Sequence, residues 1–563
     1  STRKLVEKLA DGQEPFHFGF EPHLEEYGEI TDGQLQLGEC IYSRIILPEI
    51  CNMSRRTLAM LRDFQGELFR SQCEMPLRID GIPATPETQE WFERLPEFEK
   101  PYGLMRLVPQ SAGKQLRSSC TEYENGRLWL VVNRDFEHHC RAALLLPEAD
   151  AGVYRLEEQS GALKKIPFHR KNASVEISLE LPGGGALWLW TPFAAAEYAT
   201  SSAETRKEAA CSRQLRLPDA VGVNVGENYL ILDRLLYSVD GGGWCRGDIS
   251  GVQWELLKFR REVPFRLRFP FCLNSDFTGK TALMIESPER FQFRLNGAAF
   301  RWEELGYRFD PAFHTAALPR ELMKCGENIL ELSGIFSQSS QVYQQLERCR
   351  FFETEVNSLR FDFELEAPYL SGDFSVKFPE ITHRGTDCIL KGTPELGAPV
   401  RKAGADELIA AGLPFFAGRG KLTMPFEWMP DDGTALEFSC RPWGINSIQV
   451  SVNGRQCGMI WERPWRIALP PNLLVGGQNL LQLECVVPLR NLLGPHHSDI
   501  ARNSCIGPGA FCSVPTPFNG NRQSEFHSAY RVLNVAVTEM KLTAGRKCGE
   551  KTSGQAERMS CGK

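Results

Sequence analysis

The sequence predicts a mainly β, multi-domain chain: a partial α/β region at the N-terminus, then antiparallel β-sandwich modules. Three observations carry that prediction. Ser447-Ile448-Gln449-Val450-Ser451-Val452 alternates apolar and polar residues and runs straight into Asn453-Gly454. That is the pattern of a half-buried strand entering a tight hairpin. An earlier stretch repeats the grammar, with Phe291 to Leu295 followed by Asn296-Gly297. After each hairpin comes a Gly-x-Asn turn that opens another alternating strand, Gly326-Glu327-Asn328 in the first copy and Gly477-Gln478-Asn479 in the second. The ordered set recurs after roughly 150 residues, which points to two copies of one sandwich module.

At 563 residues the chain exceeds what one core can serve. Its apolar share of 42% and charged share of 24% are those of a folded soluble protein. No window reaches the uninterrupted apolar length of a membrane span. A net charge of −7 without a basic stripe argues against a nucleic-acid partner. The 18 cysteines include no Cys-x-x-Cys pair, so zinc ribbons and thioredoxin-like motifs are disfavoured. They read as small buried apolar residues in a reducing compartment, which favours the cytoplasm. The chain starts at Ser1 without methionine or a signal peptide's apolar segment, and reads as a piece of something longer.

Taken in order, residues 1–115 form the partial α/β domain. Ile41 to Leu47 is a mostly apolar run ending at Pro48, and Ser54 can cap a helix carrying Leu58, Leu61 and Phe64 on one stripe. Gly66 is expected to end that helix, with a short strand from Glu67 to Phe69 after it, completing one βαβ unit. Residues 116–195 read as an antiparallel sandwich, with strands at Leu128 to Val132, Ala142 to Leu146, Val175 to Leu181 and Ala186 to Trp190. The Ala-, Ser- and Glu-rich stretch from Ala194 to Ser212 reads as a linker or exposed helix. The two repeat modules span 213–405, with an insertion, and 406–545, and 546–563 is a disordered tail.

Certain motifs resemble a known family. Pro488-Leu489-Arg490-Asn491-Leu492-Leu493-Gly494-Pro495-His496-His497 resembles a signature near the C-terminus of large bacterial glycoside hydrolases of the alpha-L-rhamnosidase-like type. Glu366-Ala367-Pro368-Tyr369-Leu370-Ser371-Gly372-Asp373-Phe374 resembles the link between two of their sandwich modules, and Gly412 to Gly418 the opening strand of the last one. Ser43-Arg44-Ile45-Ile46-Leu47-Pro48 is similar to the Rossmann-like domain that follows their catalytic barrel. The resemblance implies a Rossmann-like remnant, a β-sandwich and two galactose-binding-like jelly-roll modules, in that order. It also implies a (β/α)8 barrel that this sequence does not contain. The family's catalytic carboxylates lie on that barrel, so none is carried onto a residue here. The expected function is a C-terminal, carbohydrate-interacting accessory region. The expected partners are a glycan or oligosaccharide and the missing barrel, with no nucleic acid and no membrane. The alternative is a stand-alone carbohydrate-binding or scaffold protein, which the upstream reading frame would distinguish.

Candidate site residues are few. Asp431-Asp432 before Gly433 reads as a turn rather than half of a carboxylate pair. In His138-His139, adjacent strand residues face opposite sides and cannot readily share an ion. His496-His497 follows Gly494-Pro495 in a loop, where hydrogen bonding within the protein, sugar contact and metal ligation all remain open. Trp443, Trp461 and Trp465 flank the Asn453-Gly454 hairpin, as core or as a stacking platform for a pyranose. The expected sugar contacts are therefore Trp461, Trp465, His496 and His497, with no catalytic residue, metal or cofactor assigned. Gly183 to Gly185, Gly241 to Gly243 and Gly418-Arg419-Gly420-Lys421 lack the Gly-Lys-Ser/Thr of a phosphate loop, and no Gly-x-Ser-x-Gly elbow is present.

Overall fold

The computed structural model describes residues 2–13, 16–71, 77–99, 106–194, 212–498, 511, 513 and 527–545, with breaks at 109–111, 113–114, 148, 150, 158–160, 172–173, 352, 385 and 431–434. The expected linker at 195–211, the Asp431-Asp432 pair and the tail at 546–563 lie outside the described residues. The chain is mainly β and divides into two compact units: residues 1–206 with Glu462–Pro464, and the rest.

In the first unit, Arg44–Leu47 and Glu67–Arg70 pair in parallel, joined by the helix Arg55–Asp63. The Ser54 hydroxyl caps that helix by accepting from Thr57 N at 3.1 Å. Leu58 and Leu61 pack with Leu47, Met53 and Phe92. The helix ends earlier than expected, with Phe64 as its C-cap residue. Gly66 serves a different purpose: a Cβ there would stand 2.3 Å from Ser43 O, so glycine lets the second strand approach the first. A three-stranded antiparallel sheet, Gly28–Thr31, Gln34–Leu37 and Cys40–Tyr42, precedes this unit of structure.

The sandwich follows from period-2 burial. Ser174–Leu181 buries Val175, Ile177, Leu179 and Leu181 and pairs with Cys140–Pro147 along its length. Its partner sheet contains Leu116–Tyr123, Gly126–Asn133 and Ala186–Pro192. Trp129, Val131, Leu144 and Leu189 fill the space between the two sheets.

In the second unit the repeat is structural. Val263–Leu273 pairs with Gly326–Phe336 over eleven residues, and Gly418–Trp428 pairs with Gly477–Val487 in the same way. The hairpins lie beside the second member of each pair: Gln292–Leu295 with Ala298–Phe300, and Ser447–Val452 with Arg455–Ile460. Asn296 and Asn453 have φ of 51° and 52°, as their turns require. Each turn asparagine is clamped identically. Asn296 Nδ2 donates to Leu322 O and to Asn328 Oδ1, both at 2.8 Å; Asn453 Nδ2 donates to Leu473 O at 3.0 Å and Asn479 Oδ1 at 2.8 Å.

Strand pairing threads one repeat through the other. Ser212–Leu215 pairs with Ala536–Gly545, and Ala220–Asn224 pairs with Gly418–Trp428 and Lys402–Gly404. The chain thus lays its first two strands of this unit into the sheets of the later repeat before building the earlier one. A single apolar core, including Phe265, Phe269, Phe415, Phe438 and Leu483, runs through both repeats.

Candidate functional site

A buried polar cluster lies in the second unit around Asp233, His496, His497 and Tyr530. Asp233 interrupts the apolar run Tyr229-Leu230-Ile231-Leu232 and is 8% exposed. A carboxylate taken from water must be paired. Its partners come from the far end of the sequence: His497 Nε2 lies 2.8 Å from Asp233 Oδ2, and Tyr530 OH donates to Oδ1 at 2.6 Å. Histidine 497 also presents Nδ1 to Ala529 O at 3.1 Å, so both ring nitrogens face acceptors.

Local sequence explains how the two histidines arrive there. After Gly477–Val487 the chain makes the short helix Arg490–Leu493 and then Gly494, with φ 83° and ψ −158°. That conformation belongs to glycine, and a Cβ would stand 3.0 Å from His496 N. Asn491 holds the segment against Tyr530–Leu533, donating to Leu533 O at 2.9 Å and accepting from Leu533 N at 2.8 Å. His496 Nε2 lies 2.8 Å from Asn491 O, and Arg531 N donates to His496 O at 2.7 Å. The His497 and Tyr530 rings are 4.7 Å apart, and Phe415 lies edge-on to both His496 and Tyr530.

Burial pushes His496 down to about 4, only partly opposed by the Asp233 charge and by the hydrogen bond to Asn491 O. Burial acts upward on Asp233, yet the His497 and Tyr530 hydrogen bonds and the nearby imidazoles hold it below the usual carboxylate range. Tyr530 is raised far above the ordinary phenol, by burial first and by the Asp233 charge next. A neutral His496 beside an ionised Asp233 held by His497 and Tyr530 makes a brace between the two repeats.

The four expected sugar contacts therefore separate. His496 and His497 come together, but at 4% and 7% exposure their rings are committed to the interior. Trp461 is 48% exposed, whereas Trp465 is half-buried and packed on the core. Pairing puts Ile460 opposite Ile448 and Ile448 opposite Cys485. The Trp461 segment and the Pro488 segment thus leave the sheet at the same end, with Ser447–Val452 between their strands. Trp443 donates Nε1–H to Thr538 Oγ1 at 3.1 Å under the Arg441 guanidinium and belongs to the sheet. His138 Nδ1 lies 3.0 Å from Asp135 Oδ2, and His139 faces Glu180 instead. Among the described residues no group of three His, Cys, Asp or Glu side chains could hold a metal ion.

A second cluster went unread in the sequence. Glu286, Glu364 and Glu366 lie close enough to interact: burial raises all three carboxyls, neighbouring carboxylates add to the rise at Glu286 and at Glu366, which reaches about 8, and a hydrogen bond with Gln253 opposes it at Glu364. Glu364 and Glu366 are exposed residues, so solvent screens part of this effect. The signal for both clusters was an acidic residue inside an apolar stretch: Asp233 after Tyr229 to Leu232, and Glu364 and Glu366 between Phe363, Leu365 and Ala367.

No protein-family model and no curated protein sequence matches the chain. Similar solved structures are glycoside hydrolases. A rhamnosidase from Novosphingobium sp. PP1Y is 12% identical with a TM-score of 0.34, covering 92% of this chain and 35% of that one. A beta-D-mannosidase from Dictyoglomus thermophilum is 11% identical with a TM-score of 0.19, covering 46% of this chain and 31% of that one. An alpha-L-rhamnosidase from Streptomyces avermitilis, complexed with L-rhamnose, is 12% identical with a TM-score of 0.18, covering 68% of this chain and 36% of that one. The chain thus spans about a third of the length of these structures, and likeness at this level carries no argument about activity.

Proposed function

We propose that the chain is the carbohydrate-interacting accessory region of an alpha-L-rhamnosidase-like glycoside hydrolase, and that cleavage belongs to a barrel outside it. The observation that carries this reading is the division of roles at one rim of the later repeat. Asp233, His496, His497 and Tyr530 are consumed in mutual contacts, while Trp461 keeps about half its surface free. An indole so placed suits the C–H face of a pyranose. The histidines of the rhamnosidase-like motif then serve the site by holding the rim rather than by touching sugar, and Trp465 supports it from the core side.

Titration calorimetry with methyl α-L-rhamnopyranoside tests the reading. The whole chain is expected to bind, and Trp461→Ala to weaken binding roughly tenfold, the loss of about 1.4 kcal/mol of stacking. Its melting temperature should stay put, because the indole is largely outside the core. Absence of binding ends the proposal, and so does a stability loss of ~3–5 kcal/mol in Trp461→Ala, the signature of a core aromatic.

A further inference from the structure

The earlier repeat offers a site of its own at the corresponding place. Its hairpin strand Ala298–Phe300 leads into Arg301-Trp302-Glu303 and then the strand Glu304–Arg308. In the later repeat, Arg455–Ile460 leads into Trp461. Both connections leave their hairpin at the end opposite the Asn-Gly turn, and both carry tryptophan. In the earlier repeat, however, the connection borders an open groove of about 800 Å³. That volume falls within the range of small-ligand clefts.

The groove wall is built and oriented. Trp302 lies against the buried Phe293, ring centroids 5.2 Å apart at 31°, and donates Nε1–H to Glu304 Oε2 at 2.7 Å. Glu304 Oε1 accepts from Gly306 N at 3.2 Å and lies 3.2 Å from His314 Nδ1. A register shift between Glu304 and Gly306, with Gly306 at φ 121°, marks a bulge there. Bulges of this kind re-aim a side chain at sheet edges. Burial raises the Glu304 carboxyl, but its three donors outweigh that and hold it below the usual range. Two further lining groups, Gln292 and Arg301, have no hydrogen-bond or ion-pair partner among the described residues.

We propose that this groove is a second glycan subsite, taking a neutral pyranose whose ring lies along Trp302 and whose hydroxyls reach Glu304, His314, Gln292 and Arg301. Neutrality follows from the lining, where Glu289 and Glu304 balance Arg294 and Arg301. A pyranose follows from the pairing of an aromatic wall with a fixed acceptor and free donors, since a sugar ring offers C–H faces and hydroxyls together. The inference shares only its ligand class with the Trp461 reading and stands on different residues.

The test uses the whole chain carrying Trp461→Ala, titrated with methyl α-L-rhamnopyranoside and methyl β-D-galactopyranoside, with sorbitol as an open-chain control. Saturable binding of at least one pyranoside is expected to persist there, to weaken roughly tenfold on adding Trp302→Ala, and to be absent for sorbitol. No residual binding of either pyranoside, or equal binding of sorbitol, overturns the second subsite. Binding that vanishes with Trp461→Ala alone keeps the first reading and removes this one; binding that vanishes with Trp302→Ala alone does the reverse. Should Trp302→Ala lower the melting temperature, the exposed pair Gln292→Ala and Arg301→Ala decides, and unchanged affinity in that variant overturns the proposal.

Discussion

At the residue scale, Asp233 determines how the later repeat holds the earlier one. Removing the buried carboxylate leaves His497 and Tyr530 without their shared acceptor, so Asp233→Ala should cost ~1–3 kcal/mol for each of these two buried groups, read as a lower denaturant midpoint. Tyr530→Phe removes one hydrogen bond to a charged acceptor and should cost less, ~1.5–3 kcal/mol. Acid should act through His496. Its folded value of about 4 lies below its ordinary 6.5, so the unfolded chain binds the extra proton between them. Stability should therefore fall as pH drops through that window, by up to ~3 kcal/mol, and His496→Gln should flatten the slope. Asp233 adds a further loss at lower pH, where its ion is discharged. Glu366 has the opposite sign. Its carboxyl is raised from 4.5 to about 8, so ionising it costs stability as pH rises between those values. Glu366→Gln should then raise the melting temperature at pH 8 and change little at pH 4.5, with the exposure of the residue keeping the effect modest.

At the scale of elements, the asparagine clamps were readable because turn chemistry is local: a left-handed turn demands Asn-Gly, and the pattern repeats. The structure adds what each asparagine does. Asn479 accepts from Val475 N and donates to Val475 O and Gly477 O, and Asn328 repeats this with Lys324 and Gly326. Both are buried, so Asn479→Ala and Asn328→Ala each leave backbone groups without partners. Each should lose at least ~1–3 kcal/mol, with matching shifts in the two repeats by thermal melting. Unequal shifts would mean that the clamps are not equivalent. The Ser54 cap was likewise local and legible. The early end of its helix was not, because Gly66 is set by contact with Ser43 O, a strand neighbour that sequence spacing does not reveal. The role of His497 was hidden for the same reason: Asp233, its partner, lies more than two hundred positions away.

At the scale of the whole molecule, two repeats share one core, and the described cysteines, among them Cys140, Cys388, Cys440 and Cys485, are free thiols. Burial raises Cys388 to about 11, so its proximity to His383 Nδ1 at 3.3 Å does not make a nucleophile. Thiol titration of the denatured chain should find most of the 18 cysteines reactive without reductant. The larger claim is that this chain meets glycans without cleaving them. The sharpest challenge to it is the cluster of Glu286, Glu364 and Glu366, where burial and neighbouring carboxylates push Glu366 up to about 8, the direction a general acid for glycosidic hydrolysis needs. The direct measurement is release of nitrophenol from nitrophenyl α-L-rhamnopyranoside by the homogeneous chain between pH 5 and pH 8. The account predicts none above the uncatalysed rate; turnover that follows the protein through purification and disappears in Glu366→Gln would contradict it.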